Sequence, residues 1–248
     1  MGERDDVPWA MQLAFADERD RDGAGRPTHY AVCEAVASAV VTLLSDPRAV
    51  DGEWSAAVKH WSDLAIRKVV RRGRGVKFAA VRALPGVEVS HRGALVRAFV
   101  PGPVSEVAPE IAKLQVGGTD QPDRGTPSEP VPGGLTIALT PAVTMTTGKA
   151  AAQSGHAAQL AWWQMPADVR ARWEASGWAV RVISPAPDAW DRLVKAAPVA
   201  VRDAGFTEVP PGTKTAIAWW PGSGLADDGT RLERDGGRPG WLGRLFGR

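Results

Sequence analysis

Alternating and periodic hydrophobic positions divide this chain into short strands and helices. In the N-terminal half, the pattern predicts strands in AMQLAFA, IRKVV and HRGALVRAFVPGP and helices in AVCEAVASAVVTLL and KFAAVRALPG. In the C-terminal half, it predicts strands in LTIALTPAV, WAVRVIS and TKTAIAWWP and helices in PADVRARWEASG and PDAWDRLVKAAP. It also predicts an alanine-rich helix that starts around Thr146–Gly148, where threonine can cap the first free amides, and runs to about Met165. Strands that alternate with helices are typical of α/β proteins, so we expect mixed sheets with helices on both faces.

The two halves are separated by a stretch rich in glycine, proline and acidic residues. Residues 117–134, GGTDQPDRGTPSEPVPGG, contain few apolar positions and predict a flexible, partly extended linker. A Gly- and Arg-rich sequence follows the last predicted strand. We therefore divide the chain into a unit at 7–112, a linker at 113–134, a second unit at 135–224 and a flexible basic tail at 225–248.

Both units follow the same order of strands and helices. Each also has a tryptophan, Trp61 or Trp173, shortly before its second predicted strand. This ordering predicts an internal duplication in which two similar small α/β units form a pseudo-dimer within one monomeric chain. The alternative is a coincidence, since any α/β protein can show such an order.

Composition and charge restrict the chemistry. The chain has 248 residues, of which 44% are hydrophobic, and a formal net charge of +2. With Cys33 as the only cysteine, a disulfide framework and a multi-cysteine metal site are both excluded. The four histidines show no metal-ligand spacing, so we expect neither a metal nor an organic cofactor. The acidic N-terminus lacks an apolar signal core and no apolar run reaches the length of a membrane span, so we expect a cytoplasmic protein that does not enter a membrane.

Three polar residues recur at helical spacing in the alanine-rich helix of the second unit. At about 100° per residue, Lys149, Gln153 and His156 lie on one narrow face. A cation, an amide and an imidazole near a helix N-terminus can bind an anionic or carbonyl-bearing ligand. The alternative is a solvent-exposed stripe, which is the commoner origin of such a triplet.

The second unit resembles the archaeal and eukaryotic type of peptidyl-tRNA hydrolase over residues 135–221. The similarity rests on GKAAAQSGHAA followed by VRDAGFTEVPPGTKTAIAWWP, which match the helix, aspartate loop and closing turn and strand of that family. The matching residues are Gly148, Lys149, Gln153, His156, Ala157, Asp203, Ala204, Gly205, Thr207, Gly212, Thr213 and Thr215.

The resemblance implies hydrolysis of the ester that joins a peptide to the terminal ribose of tRNA. It implies that Asp203 or His156 orients or deprotonates a water molecule. Lys149 and Gln153 would face the carbonyl oxygen or the terminal phosphate. Thr207 and Thr213 would fix the aspartate loop, and Gly148, Thr213 and Thr215 are assigned to substrate binding. No serine or cysteine lies in a nucleophile context, so a covalent mechanism is not expected.

The second unit also departs from the pattern of that family. The family's first strand usually ends in an Arg and an Asp-Leu pair, where this chain has Thr140, Ala142 and Val143. Thr147 replaces a basic residue, and Gly155 replaces a small polar one. Two alternatives therefore stay open: a non-catalytic RNA-binding protein associated with translation, and a deacylase that acts on another RNA- or carrier-linked ester.

The first unit, interpreted as a divergent copy, lacks the catalytic pattern. Its helix has Cys33 and Glu34 near the glutamine position, and HRG replaces the aspartate loop. The first unit also contains the densest cationic stretch, IRKVVRRGRGVK, and from it we assign to tRNA binding Arg67, Lys68, Arg71, Arg72 and Arg74. The alternative is a solvated edge strand, because lysine and arginine often protect exposed sheet edges.

Overall fold

A computed structural model describes residues 7–18, 25–203, 208–226 and 229–230. Within these ranges the chain is an α/β protein with two mixed sheets, one in each half. The fold class predicted from the hydrophobic pattern is therefore confirmed.

The first unit forms a five-stranded sheet with short helices around one long helix. Its strands are β1 (Trp9–Ala16), β2 (Arg67–Gly73), β3 (Gly86–His91), β4 (Ala94–Phe99) and β5 (Gly102–Pro103). Its helices are α1 (His29–Ser45), α2 (Pro47–Val50), α3 (Ser55–Ser62), α4 (Val76–Val81) and α5 (Pro109–Ala112), with a 3₁₀ turn at Val104–Glu106.

The second unit forms a four-stranded sheet. Its strands are β6 (Leu135–Leu139), β7 (Val180–Ile183), β8 (Val199–Arg202) and β9 (Lys214–Trp219). Its helices are α6 (Thr147–Gln164), α7 (Ala167–Ala175) and α8 (Pro187–Ala196). The sequence pattern did not predict β3 and β8, which each lie at one edge of their sheet.

The two sheets share one strand order. The orders are β2-β1-β4-β3 and β7-β6-β9-β8, and in both the first pair is parallel and the other two pairs are antiparallel. The short strand β5 extends the first sheet along β1. The units therefore match in topology as well as in element order, and their origin by duplication stays a prediction.

A shared tryptophan contact supports this match. Trp61 and Trp173 are both fully buried, and each donates its indole N–H to the backbone carbonyl six residues later, at Arg67 (3.1 Å) and Ala179 (2.8 Å). Both bonds tie the segment before a strand to the segment that enters it. The tryptophans that precede the second predicted strands are thus equivalent in position and in contact.

Threonine caps begin both long helices. Thr28 accepts a hydrogen bond from the Ala31 N–H, and Thr146 accepts one from the Lys149 N–H. A threonine hydroxyl satisfies one of the backbone amides that a helix start leaves without a partner. The helix start predicted around Thr146 is confirmed, and it fixes the register of Lys149 and Gln153.

Helices α1 and α6 pack against each other, and residues of both units join in one apolar core. All but two of the 17 residues of α1 are buried. Each helix also contacts the other unit's sheet, α1 at β7 and α6 at β2. The approach is close at Gly155, where an added Cβ would lie 3.1 Å from the Val40 methyl and 3.2 Å from the Lys68 side chain. The small residues of α6 therefore permit this contact.

Smaller apolar clusters cover the remaining sheet surfaces. In the first unit, Phe78 of α4 and Ile111 of α5 pack with Ala14 of β1. In the second unit, Trp190 and Leu193 of α8 pack with Ile217 of β9. Helices therefore lie on both sides of each sheet, as the sequence predicts.

The segment predicted as a linker has no helix or strand over 117–134 and lies against both units. Thr119 and Gln121 are buried. The carbonyl oxygens of Asp123 and Arg124 accept hydrogen bonds from the first amides of α1, at His29 and Tyr30. At the far end, Leu225 is buried against the second sheet, while 227–228 and 231–248 of the predicted tail lie outside the described residues. Among the helices that are described, none is both long enough and apolar enough to cross a membrane.

We expect the chain to be a monomer in solution, because α1 and α6 already cover each other's apolar faces. Light scattering at micromolar concentration should give the mass of one chain, 26.3 kDa. A mass twice as large would show that the chain forms a dimer and that the contact between its two units does not replace one.

Candidate functional site

Four polar side chains of the second unit form one hydrogen-bonded cluster, which we call the Asp203 cluster. Lys149 Nζ and Gln153 Nε2 donate to the same oxygen, Asp203 Oδ2, at 2.5 and 2.7 Å. Thr215 Oγ1 donates to Gln153 Oε1 at 2.6 Å. The structure therefore brings together four of the residues that the resemblance assigns to the site: Lys149, Gln153, Asp203 and Thr215.

Two elements and one tight loop position this cluster. Lys149 and Gln153 are one helical turn apart on α6, so their side chains point the same way. Asp203 directly follows edge strand β8, and its backbone pairs with the returning chain through Asp203 N to Thr213 O (2.9 Å) and Gly212 N to Asp203 O (2.7 Å). Gly212 has a φ of +80°, which allows the turn. Thr215 lies on β9, within hydrogen-bond distance of the Gln153 side-chain amide.

The cluster lies between the core and the solvent. Thr215 is fully buried and Gln153 is 4% exposed, whereas the Lys149 and Asp203 side chains keep 12% and 7% of their surface. An ammonium and a carboxylate in such a partly shielded place interact more strongly than on an open surface. The arrangement offers a fixed carboxylate with two fixed donors beside it.

Two carboxylates occupy the first turn of α6. Glu208 accepts from the Thr146 N–H at 2.9 Å and from the Thr146 hydroxyl at 2.7 Å. Asp120 accepts from the Thr147 N–H at 3.2 Å and from its hydroxyl at 3.0 Å. Carboxylates are favourable at a helix N-terminus because its partial charge is positive. Backbone amides at this helix start, which could otherwise bind an anionic ligand, are thus already bonded to side chains of the same chain.

His156 lies apart from this cluster. Its Nδ1 is 3.4 Å from Lys68 Nζ of the first unit, so the imidazole points toward β2 rather than toward Asp203. Burial, followed by the charges of Lys68 and Lys149, holds the pKa of His156 well below its usual range. Helical spacing places Lys149, Gln153 and His156 on one face of α6. The N-terminal end of that face contacts the aspartate loop, and its C-terminal end, at His156, contacts the first unit.

Lys68 is a contact between the two units. It is buried, and Nζ bonds to the Ile66 carbonyl (3.3 Å) and to Gln159 Oε1, with the Trp61 ring centroid 4.9 Å away. Burial lowers its pKa well below the usual value. Although we assigned Lys68 to tRNA binding, its amino group is therefore enclosed by side chains that a phosphate would have to displace.

The other arginines of the basic stretch also have partners inside the protein. Arg71 Nε donates to Gln12 Oε1 at 2.9 Å, and Arg72 donates to Gln115 Oε1 at 2.8 Å. Arg74 donates to Asp17 at 2.7 Å. Arg67 is partly exposed at the start of β2, and its carbonyl accepts the Trp61 bond described above. Of these four arginines, Arg74 is the most exposed, with 52% of its side chain in contact with solvent.

The remaining predicted site residues are placed as follows. Gly148 lies against the linker, because a Cβ there would be 2.2 Å from Thr119 Oγ1. Thr213 donates its hydroxyl to the Pro210 carbonyl at 2.7 Å and so fixes the turn that holds Asp203, as the resemblance implies. Thr207 lies outside the described residues.

The first unit has a different polar cluster at the end of its own edge strand. His91, the last residue of β3, lies 2.9 Å from Glu34 Oε2, and the linker residue Ser128 donates both its N–H and its hydroxyl to Glu34. Glu34 also accepts from the Val182 N–H of the second sheet at 3.1 Å. Burial would raise the pKa of Glu34, but these hydrogen bonds together lower it. Glu34 thus ties the first unit to the linker and the second unit.

The sequence contains a signal that Glu34 has fixed partners. It is the only charged side chain in HYAVCEAVASAVVTLLS, a helix buried on nearly all sides. A charged residue in that setting is expected to have fixed partners, because an unpaired buried charge is costly.

No family model and no curated protein sequence matches the chain. Within the described ranges, no group of three or more His, Cys, Asp or Glu side chains is placed to hold a metal ion. The site must therefore be interpreted from its own geometry and from the resemblance described above.

We expect Lys68→Met to change how stability depends on pH. Because burial lowers the pKa of Lys68 in the folded state, the unfolded chain binds more protons between that pKa and the ordinary value of 10.5. Stability of the wild type should therefore rise with pH in this window, by at most about 1.4 kcal/mol per pH unit from this group, and Lys68→Met should lack that contribution. Urea unfolding at pH 7, 8 and 9 measures the difference.

The matched control is Lys59→Met, which removes a lysine that is 79% exposed. It should run parallel to the wild type over the same range. Parallel curves for Lys68→Met would show that its amino group keeps an ordinary pKa in the folded protein.

We expect Thr215→Val to destabilise the Asp203 cluster. Valine has nearly the shape of threonine but no hydroxyl, so Gln153 Oε1 would lose its donor in a buried place, at a cost of about 1–3 kcal/mol. Thr215→Ser keeps the hydroxyl and should lose less. Urea unfolding measures the free energy of unfolding of the wild type and the two variants. If the valine variant is more stable than the serine variant, packing of the methyl group outweighs the hydrogen bond.

Proposed function

We propose that this protein hydrolyses the ester bond of peptidyl-tRNA and releases tRNA and the peptide. The observation that carries the proposal is the Asp203 cluster, in which Lys149 and Gln153 hold one carboxylate oxygen at the edge of the core. These residues belong to the helix and loop on which the family resemblance rests, and their meeting in space is what that resemblance requires.

The cluster suits an ester hydrolysis without a covalent intermediate. A carboxylate can orient a water molecule and accept its proton, and a neighbouring ammonium can stabilise the negative charge that develops on the carbonyl oxygen. In this chain Asp203 would take the first role and Lys149 the second. Gln153, whose oxygen is fixed by Thr215, would keep the carboxylate in place through its N–H.

The only cysteine is unsuited to nucleophilic attack. Cys33 is fully buried in α1, and burial together with the neighbouring charge of Glu34 raises the pKa of its thiol. A thiol that stays protonated and shielded is a poor nucleophile. A water molecule activated at Asp203 is therefore the nucleophile of this proposal.

The position of the cationic stretch fits a nucleic-acid substrate. Arg72 reaches the Asp120 carbonyl of the linker at 3.4 Å, and the Asp120 carboxylate bonds to Thr147 at the start of α6. The basic end of β2 and the helix that carries Lys149 are thus joined through one linker residue. A tRNA substrate also implies a cytoplasmic protein.

A second candidate is a non-catalytic RNA-binding protein of translation. It is favoured by the first turn of α6, where Glu208 and Asp120 occupy amides that could otherwise hold a phosphate. The absence of the family's basic and acidic residues at Thr140, Ala142 and Val143 points the same way. A deacylase for another RNA- or carrier-linked ester would use the same Asp203 cluster, so peptidyl-tRNA and aminoacyl-tRNA should be compared as substrates.

We expect Asp203→Asn to reduce hydrolysis of peptidyl-tRNA about a hundredfold, the usual scale for losing a positioned acid–base group. Single-turnover release of peptide at saturating enzyme measures this rate. Binding of tRNA should change much less, because the arginines proposed to contact phosphates belong to the first unit.

The control is Asp188→Asn, which replaces an aspartate that is 75% exposed on α8. It should retain the wild-type rate. If wild-type protein binds tRNA but releases no peptide, the non-catalytic alternative is correct; if Asp203→Asn stays folded and fully active, Asp203 is not the base.

A further inference from the structure

Three arginines converge on one buried carboxylate in the first unit, a group that we call the Asp17 cluster. Arg74 Nε donates to Asp17 Oδ2 at 2.7 Å, and Arg26 NH1 and Arg72 Nε each lie 3.8 Å from the same oxygen. The other oxygen, Oδ1, accepts from Gln121 Nε2 at 3.1 Å. The Asp17 side chain is 1% exposed, so its charge is directed inward to these partners.

The Asp17 cluster carries an excess of positive charge. One aspartate faces three guanidinium groups, and Glu18, the next residue, directs its carboxylate to the Gly75 N–H at 2.6 Å. Among the described residues of this cluster, three arginines face two carboxylates, which leaves a net positive charge. Guanidinium groups held this close repel one another, so a further anion would lower the energy of the arrangement.

Two of the three arginines are accessible. The side chains of Arg26 and Arg74 are 47% and 52% exposed, whereas Arg72 is 16% exposed. A guanidinium group has five N–H donors, and the contact with Asp17 uses those on one side. About half of the side-chain surface of Arg26 and Arg74 is open to solvent, and a guanidinium group can bind phosphate oxygens through two parallel N–H bonds.

Hydrogen bonds through Gln121 connect the Asp17 cluster to the helix that carries Lys149. Gln121 bonds to Asp17 through its side chain and to the Thr147 hydroxyl through its backbone N–H, at 2.9 Å. Thr147 is the first residue of α6. One buried linker residue thus holds the arginines and the start of α6 at a fixed separation.

We infer that Arg26 and Arg74, held together with the more buried Arg72 by Asp17, form a binding site for the phosphodiester backbone of a nucleic-acid strand, joined through Gln121 to the helix that carries Lys149. The identity of that strand as the acceptor end of tRNA rests on the proposed function. Asp17 and Arg26, which the sequence did not single out, act by fixing the other two arginines and by adding a third cation. Lys68 and Arg71 take no part, because their polar atoms are used inside the protein.

The test is the salt dependence of tRNA binding by the double variant Arg26→Ala/Arg74→Ala. Each phosphate contact contributes about 0.7–0.9 to the magnitude of the slope of log K against log salt, so losing two should lower it by roughly 1.4–1.8. Fluorescence anisotropy with labelled tRNA between 50 and 200 mM salt, about the range over which such affinities change most, gives the slope.

Two further variants make the result specific. Arg82→Ala removes an arginine of the same unit that is 54% exposed and pairs with Glu88, and it should keep the wild-type slope. Arg26→Lys/Arg74→Lys keeps the charge and should restore most of the slope lost in the alanine variant. Urea unfolding checks that each variant is folded; if the double alanine variant is not, Arg26→Ala alone, which should lower the slope by about 0.7–0.9, replaces it.

The outcomes separate this inference from the proposed function. A reduced slope in the double alanine variant supports the phosphodiester site whether or not the wild type releases peptide. An unchanged slope overturns it even if hydrolysis at Asp203 is confirmed. Titration with inorganic phosphate tests the other source of this chemistry. If inorganic phosphate binds as tightly as tRNA, the site binds free phosphate, and its assignment to a nucleic-acid strand is wrong.

Discussion

The packing of α1 against α6 is the contact on which the rest of the structure depends. Both helices are built mainly from alanine, valine and other small residues, so they approach closely and share one core between the sheets. Because α6 is held on one side by its own sheet and on the other by α1 and β2, its rotation about its axis is fixed. That rotation turns Lys149 and Gln153 toward the aspartate loop and His156 toward Lys68. The first unit therefore shapes the candidate site without contributing a residue to it.

The connection between the units is part of the same framework. Residues of the linker bond to the first amides of α1, to Glu34 and to the first turn of α6. A segment without helix or strand has to satisfy its own backbone polar groups, and this one does so partly by capping two helices. Low hydrophobicity and many glycines and prolines suggested a flexible spacer. Composition could not reveal that buried Thr119 and Gln121 would fasten it.

Local sequence signals predicted much of the fold and about half of the candidate site. Hydrophobic period predicted the central strands and the helices α1, α4, α6, α7 and α8, and threonine marked the start of α6, but the short helices α2, α3 and α5 were not predicted. Residues one turn apart, such as Lys149 and Gln153, keep the same neighbour, so their meeting with Asp203 agrees with the expectation from the resemblance. His156 lies a further turn along, where the neighbour is a different unit, and no helical angle contains that information. The burial of Lys68 was missed for the same reason, since a basic stretch on an edge strand ordinarily remains in water.

The close contact at Gly155 has a consequence for how such a pair of units can change. In a dimer of two identical chains, every substitution at the shared contact appears twice, once on each side of the symmetry axis. Here the two helices have separate sequences, so position 40 of α1 can carry a valine while position 155 of α6, which it contacts, carries a glycine. One polypeptide can therefore adjust the fit at this contact without the same change appearing at a symmetry-related contact. The same freedom lets one unit hold the Asp203 cluster while the other holds the different bonds of Glu34.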